Sequence, residues 1–142
     1  EAGALEALVA SLCVHRADAI VQECACRALF NICVGTDAAG LARKQRAAEA
    51  GALEAAVAAL GAHRAHAGVQ EYACRALANI CAANDLPGLA RKQRAAEAGA
   101  LEALVASLCV HRADAIVQEC ACRALFNICV GTDAAGLARK QR

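Results

Sequence analysis

The residues of this sequence that could do chemistry include ten cysteines and four histidines. A C-x-H pair, Cys13 with His15, returns as Cys109 with His111, and thiolate and imidazole are ligands that zinc prefers. Strong zinc patterns need four ligands, however, and Gly61 takes the place of the cysteine in the middle of the chain. We therefore predict no metal site and no cofactor.

The cysteines do not form a pattern typical of a catalytic nucleophile. A nucleophilic thiolate needs a nearby base and a lowered pKa, and nothing in the sequence associates one histidine with one cysteine. Most of the thiols instead fall inside helical patterns, where cysteine behaves as a small hydrophobic residue. We predict a protein that is not an enzyme, with reduced, buried thiols, and an intracellular location, cytoplasmic or nuclear. The thiols concerned are Cys24, Cys26, Cys33, Cys74, Cys81, Cys120, Cys122 and Cys129.

A set of charged and amide residues recurs with a fixed spacing. Glu23, Arg27 and Asn31 stand at i, i+4 and i+8, so they share one face of a helix. Glu23 and Arg27 can simply pair on a solvated face, which is worth about 0.3 to 0.5 kcal/mol. A recurring asparagine inside a helix needs another reason, because asparagine is a mediocre helix former. The equivalent residues further along the chain are Glu71, Arg75, Asn79, Glu119, Arg123 and Asn127.

The elements that position this set are helices of a repeated unit. The segment VQECACRALFNIC, which begins at Val21, returns in close copies at Val69 and Val117, each 48 residues on. A helical pattern that recurs at a fixed period is typical of a stacked repeat array. We predict a single array of three units and call them unit 1, unit 2 and unit 3. They span residues 1–46, which lack the start of the first helix, 47–94 and 95–142.

The units follow an A-B-A order. Residues 1–46 and 97–142 are identical, whereas 49–94 differ from them at thirteen positions. In unit 2, His66 replaces the aspartate that caps a helix and Gly68 replaces an isoleucine. We expect unit 2 to be the less tightly packed unit, with Tyr72 filling the space beside Gly68.

Glycines and capping residues divide each unit into three helices. The run LARKQRAAEA after Gly40 consists of strong helix formers and stops at Gly51. A second, amphipathic helix follows that glycine, and Asp18 is placed to cap the third helix. We expect the basic run from Arg43 to Arg46 to be a solvated face of the first helix.

Composition excludes several classes of partner. The formal net charge is +1 and only 2% of the residues are aromatic, so neither the one-signed patch nor the aromatic platforms of a nucleic-acid groove are present. The apolar runs are far shorter than the roughly 20 residues of a membrane span. We predict no nucleic-acid partner and no membrane partner.

These motifs resemble the armadillo repeat. The Gly-Ala-Leu junction before the second helix, the Val-Gln-Glu start of the third and the asparagine near its end occur in register in all three units. The resemblance covers nearly the whole chain. The family's unit is shorter, about 40 to 47 residues, and we place the excess in residues 35–40 and their equivalents.

The resemblance implies an all-α fold, a right-handed α-solenoid of three-helix repeats whose third helices line a concave groove. In importin-like and catenin-like members, an asparagine ladder in this groove holds an extended peptide by its backbone. That role carries over to Asn31, Asn79 and Asn127, and an asparagine side chain offers both a donor and an acceptor for it. Importin-like repeats often place tryptophan four residues before this asparagine. Arginine stands there in this chain, which favours a partner with carboxylates or phosphates.

We therefore expect a non-catalytic interaction scaffold that binds an extended, acidic protein or peptide through its glutamate, arginine and asparagine rows. The alternative is a structural array without a dedicated ligand. The chain starts inside one unit and finishes in the first helix of the next, so both ends would expose apolar faces suited to end-to-end self-association.

Overall fold

The computed structural model describes residues 3–130 and 140–141. Within them, eight helices have both ends described and no strand occurs, which confirms the predicted all-α class. The helices are α1 Ala4–Val14, α2 Ala19–Ile32, α3 Ala38–Glu49, α4 Ala52–Ala62, α5 Ala67–Ile80, α6 Leu86–Glu97, α7 Ala100–Val110 and α8 Ala115–Cys129.

Where the next unit is described, a helix packs against its counterpart in that unit. Thus α1 contacts α4 and α4 contacts α7, while α3 contacts α6. The third helices of the units, α2, α5 and α8, contact one another in the same order and form one layer. The predicted boundary between residues 46 and 47 lies inside α3, because sequence identity marks the period of the chain and not the ends of its helices.

Caps set the starts of the helices. The Asp18 side chain accepts hydrogen bonds from the amides of Ile20 and Val21 at 3.0 and 3.1 Å, as predicted. In unit 2 the Nδ1 atom of His66 takes over this role and accepts from the Val69 amide at 3.2 Å. The first helix of the unit begins at Ala38, earlier than predicted, because Asp37 caps it.

Small side chains build the core. Alanine, leucine and cysteine dominate the buried positions, and Cys26, Cys33, Cys74 and Cys81 are fully buried. Burial raises the pKa of Cys26 and Cys74 to about 12 and that of Cys33 to about 11. These thiols are protonated at neutral pH, when a thiol is a weak nucleophile.

Two of the cysteines predicted to be buried are exposed. Cys24 and Cys122 lie at the surface, and Cys129 is half-buried. Their equivalents are buried: Cys120 corresponds to Cys24, and Cys26 corresponds to Cys122. The prediction was wrong for Cys24 and Cys122 because each lies on the side of its helix that only a neighbouring unit can cover. All ten cysteines are free thiols.

The basic run of the first helix is solvated at Arg46, as predicted, but not at Lys44 and Arg43. Lys44 is 1% exposed and its Nζ donates to the Cys33 carbonyl, while Arg43 Nε donates to the Ile32 carbonyl at 2.7 Å. Both side chains satisfy free carbonyls at the C-terminal end of α2, where cations interact favourably with the helix dipole. Burial lowers the pKa of Lys44. Arg91 repeats this contact at the end of α5, with Nε 2.8 Å from the Ile80 carbonyl oxygen.

The middle helix α5 has more buried residues than α2 or α8, because units lie on both sides of it. The space beside Gly68 is not filled by Tyr72. A Cβ atom on Gly68 would overlap the carboxylate of Glu23, so the side chain of the preceding unit occupies this space. That unit 2 is the less tightly packed unit stays a prediction.

Candidate functional site

The predicted site residues lie on the layer formed by α2, α5 and α8. Arg27, Asn31, Arg123 and Glu119 are exposed, and the other members of the set are half-buried. Side chains of one third helix contact the next across this layer: Arg27, for example, contacts Tyr72, which is 45 residues later. We call the side of each third helix that faces the preceding unit its leading surface and the opposite side its trailing surface.

Arg27 makes its contacts to the next unit. Its Nη2 donates to the Tyr72 hydroxyl oxygen at 2.8 Å, and its guanidinium carbon lies 4.4 Å from the centroid of the Tyr72 ring. The hydrogen bond raises the pKa of Arg27 above its already high value. The expected pair with Glu23 does not form, since that carboxylate lies over Gly68. Arg27 and Tyr72 thus form a cation–π pair between two units.

Arg75 lies in the middle of the layer. Its Nε atom is 3.2 Å from Glu71 Oε2, four residues earlier, but this contact lacks the alignment of a hydrogen bond and leaves the buried Nε–H without a partner. The guanidinium carbon also lies 5.4 Å from the centroid of the Phe30 ring. Arg75 therefore connects the trailing surface of α2 with its own helix.

Arg123 pairs within its own helix. Its Nη2 donates to Glu119 Oε1 at 2.9 Å, the i, i+4 pair that the spacing predicts. Both side chains are largely exposed, so the pair contributes little to stability. The same arginine position therefore has three different environments in the three units.

Two asparagines of the row donate hydrogen bonds to the preceding unit. Asn79 Nδ2 donates to the Phe30 carbonyl at 3.0 Å, and Asn127 Nδ2 donates to the Ala78 carbonyl at 2.8 Å. Asn31, which has no described unit before it, is exposed. The recurring asparagine thus has a structural reason, a hydrogen bond to the preceding third helix. The Oδ1 atoms of Asn79 and Asn127 accept no hydrogen bond from the described residues.

Two further rows of polar residues were missed by sequence reasoning. Gln22 is buried, and its Nε2 donates to the carbonyls of Leu12 and His15 at 3.0 and 2.9 Å, which clamps α2 to the end of α1. Gln70 and Gln118 repeat this contact. The signal was present, since this glutamine follows the same valine in every unit.

The second missed row consists of histidines. His63 Nε2 lies 2.7 Å from the Arg16 carbonyl oxygen, and His111 Nε2 lies 2.7 Å from the Arg64 carbonyl oxygen. Each ring reaches the turn of the preceding unit. These histidines hold units together, and no group of three or more His, Cys, Asp or Glu side chains that could hold a metal ion occurs among the described residues.

The arginine rows lie on an open surface. Two cavities of about 330 and 250 Å³ occupy equivalent places between α1 and α4 and between α4 and α7, where Gln22 and Gln70 line them, and neither is lined by a residue of the arginine row. Asn31 is the ladder residue that lines a cavity of substantial size, about 220 Å³, which it shares with Arg43 and Arg46. The layer offers an extended surface in place of an enclosed pocket for a small molecule.

Comparisons with known proteins give no match. No protein-family model fits the chain, and neither a curated protein nor a solved structure is significantly similar to it. None of the helices in the described ranges is long and apolar enough to cross a membrane.

Proposed function

We propose that this chain is a right-handed α-solenoid of armadillo-type repeats that acts as a non-catalytic interaction scaffold. The packing of each helix on its counterpart in the next unit supports an array of this type. The partner is an extended protein or peptide with carboxylate or phosphate groups, which lies across α2, α5 and α8.

The row of guanidinium groups along this layer carries the proposal. Arg27 and Arg123 are exposed at its two ends and Arg75 is half-buried between them. Arg27 donates one hydrogen bond to Tyr72 and Arg123 donates one to Glu119, although a guanidinium has five N–H donors. The remaining donors can bind a carboxylate or phosphate in the bidentate geometry that suits this planar group.

The asparagines make a smaller contribution than the family resemblance implies. The Nδ2 donors of Asn79 and Asn127 are engaged with the preceding helix. Each of these two side chains can still accept one hydrogen bond from a peptide N–H through Oδ1. Asn31 offers both a donor and an acceptor, so the peptide backbone makes more hydrogen bonds to the asparagine of unit 1 than to those of units 2 and 3.

Peptide binding tests this function. We expect a short labelled Glu-rich peptide to bind in fluorescence anisotropy, more weakly at high salt, and a Lys-rich peptide of the same length not to bind. The double variant Arg27→Ala/Arg123→Ala should lower the affinity about 100-fold, about tenfold for each guanidinium, because each one loses at least one charge-assisted hydrogen bond.

The matched control is Arg16→Ala/Arg112→Ala, which removes the same charge from exposed turns outside the layer. Only the backbone carbonyl of Arg16 bonds to the next unit, so alanine keeps that contact. Equal weakening by both double variants would indicate attraction by net charge alone. That result, or equal binding of the acidic and basic peptides, would contradict the proposed site.

A structural array without a ligand is the second candidate. The observation in its favour is that the asparagine donors already serve contacts between units. End-to-end self-association would then make the mass measured by light scattering rise with protein concentration, whereas the scaffold function needs no self-association.

A further inference from the structure

The trailing surface of α2 is present a second time on α8. Residues 19–32 and 115–128 have the same sequence. On α2 this surface is covered by unit 2, and Cys26 on it is fully buried. On α8 the equivalent Cys122 is exposed and Phe126 is 67% exposed. Among the described helices, α8 packs mainly against α5, α6 and α7, all of which come before it in the chain.

The leading surface of unit 2 is complementary to the surface it covers. Gly68 leaves room for the carboxylate of Glu23, which a Cβ atom would overlap. Tyr72 provides both a ring and a hydroxyl oxygen for Arg27, at 4.4 and 2.8 Å. These two residues distinguish the leading surface of unit 2 from that of the outer units, which have isoleucine and cysteine at the same positions.

The other junction in the chain is made of different side chains. There, Ala78 and Asn79 of unit 2 line one crevice with Cys120 of unit 3, and the small Ala78 stands where α2 has Phe30. Unit 3 has Ile116 and Cys120 at the positions of Gly68 and Tyr72. No cation–π pair or tyrosine hydrogen bond is found at this junction in the described part of the chain. The asparagine and histidine bonds to backbone carbonyls are common to both junctions. Selectivity between unit types therefore comes from the glycine and tyrosine positions.

We infer that the trailing surface of α8, with Glu119, Cys122, Arg123 and Phe126, is a docking surface for a further unit of the unit 2 type, recognised by its glycine and tyrosine. This surface shares Glu119 and Arg123 with the proposed peptide-binding row, but the inference does not rest on peptide binding, because it is argued from the contacts that the identical surface of α2 makes with unit 2. It also differs from end-to-end association of identical copies. A second copy would present Ile20 and Cys24 to α8, without the tyrosine that Arg123 needs as a partner.

Extension of the chain tests the inference. One extended chain carries a copy of residues 47–94 after Arg142, and the matched control carries a copy of residues 95–142, which has the same length. Arg123→Ala is made in the original chain and in both extended chains. Each chain is characterised by its melting temperature and by the rate at which a thiol reagent modifies Cys122.

In the original chain we expect Arg123→Ala to leave the melting temperature nearly unchanged, because among the described residues Arg123 donates its hydrogen bond to the exposed Glu119. With the added unit 2 copy, the same substitution should lower the melting temperature by about 1–4 °C, the scale of an exposed cation–π pair. Arg27→Ala in the original chain should give a similar loss. With the added unit 1-type copy, Arg123→Ala should again have little effect.

Replacement of the added unit's tyrosine by phenylalanine separates the hydrogen bond from packing. We expect this change and Arg123→Ala to be non-additive, as contacting residues are in a double-mutant cycle. Cys122 should become protected from the thiol reagent in the chain with the added unit 2 copy. A Cys122 that stays reactive there, or an Arg123→Ala loss that is equal in the two extended chains, would overturn the inference.

Discussion

Units 1 and 3 have the same sequence over 46 aligned positions, yet the structure gives their side chains different surroundings. Cys26 is buried in unit 1 and its equivalent Cys122 is exposed in unit 3, because only unit 1 is followed by another described unit. The reverse holds on the leading surface, where Cys120 is buried and Cys24 is exposed. In this array, a residue's burial is decided by the neighbouring unit as much as by its own helix.

The neighbouring unit also decides which partner each arginine of the row contacts. Arg27 turns to Tyr72 in the next unit, whereas Arg123, in an identical helix, pairs with Glu119. Arg75, which has a unit on each side, lies near both its i, i+4 partner Glu71 and the Phe30 ring of the preceding unit. Matched substitutions at equivalent positions of units 1 and 3 therefore measure how much a neighbouring unit contributes to the stability and the burial of a residue.

The largest difference is expected in the core. Leu29 is fully buried and its equivalent Leu125 is half-buried. Leu29→Ala should lower the free energy of unfolding by about 2–5 kcal/mol, the usual cost of a large-to-small change in a core, and Leu125→Ala by less. Urea denaturation followed by circular dichroism measures both. Equal losses of unfolding free energy would show that the two leucines are packed alike, and would contradict the difference in burial between units 1 and 3.

A second difference concerns the thiols. We expect a thiol reagent to modify Cys122 and Cys24 rapidly and Cys26 and Cys120 slowly under native conditions, because reaction at a buried thiol requires opening of the structure. Mass spectrometry after short exposure identifies the modified cysteines. Rapid modification of Cys26 would show that units 1 and 2 are not stacked in solution.

The buried thiols also predict alkaline unfolding. The pKa of Cys26 and Cys74 rises from 9.0 to about 12 on folding, so the folded chain holds these protons more tightly than the unfolded chain does. The resulting stability is fully present below pH 9 and is lost as the pH rises from 9 towards 12. Lys44 acts in the opposite direction, because burial lowers its pKa. A Cys26→Ala/Cys74→Ala variant should show a flatter stability profile over this pH range, and an unchanged slope would contradict this assignment.

The smallest difference is expected in the asparagine row. Asn127→Ala removes the hydrogen bond to the Ala78 carbonyl and should cost about 1 kcal/mol. Asn31→Ala is the matched control in the identical unit, and we expect it to change stability little, because Asn31 is exposed. Equal effects in thermal denaturation would mean that the asparagine acts within its own helix and not between units.

Local rules made much of the fold predictable from the sequence. The period of 48 residues, the all-α class, the Asp18 cap and the outward position of Arg27 and Asn31 follow from helix periodicity and capping chemistry, which act over a few residues. The same rules misplaced the start of α3 and the environment of Lys44. A basic run on a helix looks solvated unless one knows that its side chains reach the carbonyl ends of another helix.

The sequence by itself determined the helices, their order and the rows of glutamate, arginine and asparagine on the third helices. Only the tertiary structure decided what those rows contact. The Tyr72 partner of Arg27 lies 45 residues away and the carbonyl partner of Asn79 lies 49 residues away. Such pairs depend on how one unit is placed on the next, a register that no pattern inside a single unit specifies. For the same reason, two identical sequences present one covered and one open trailing surface.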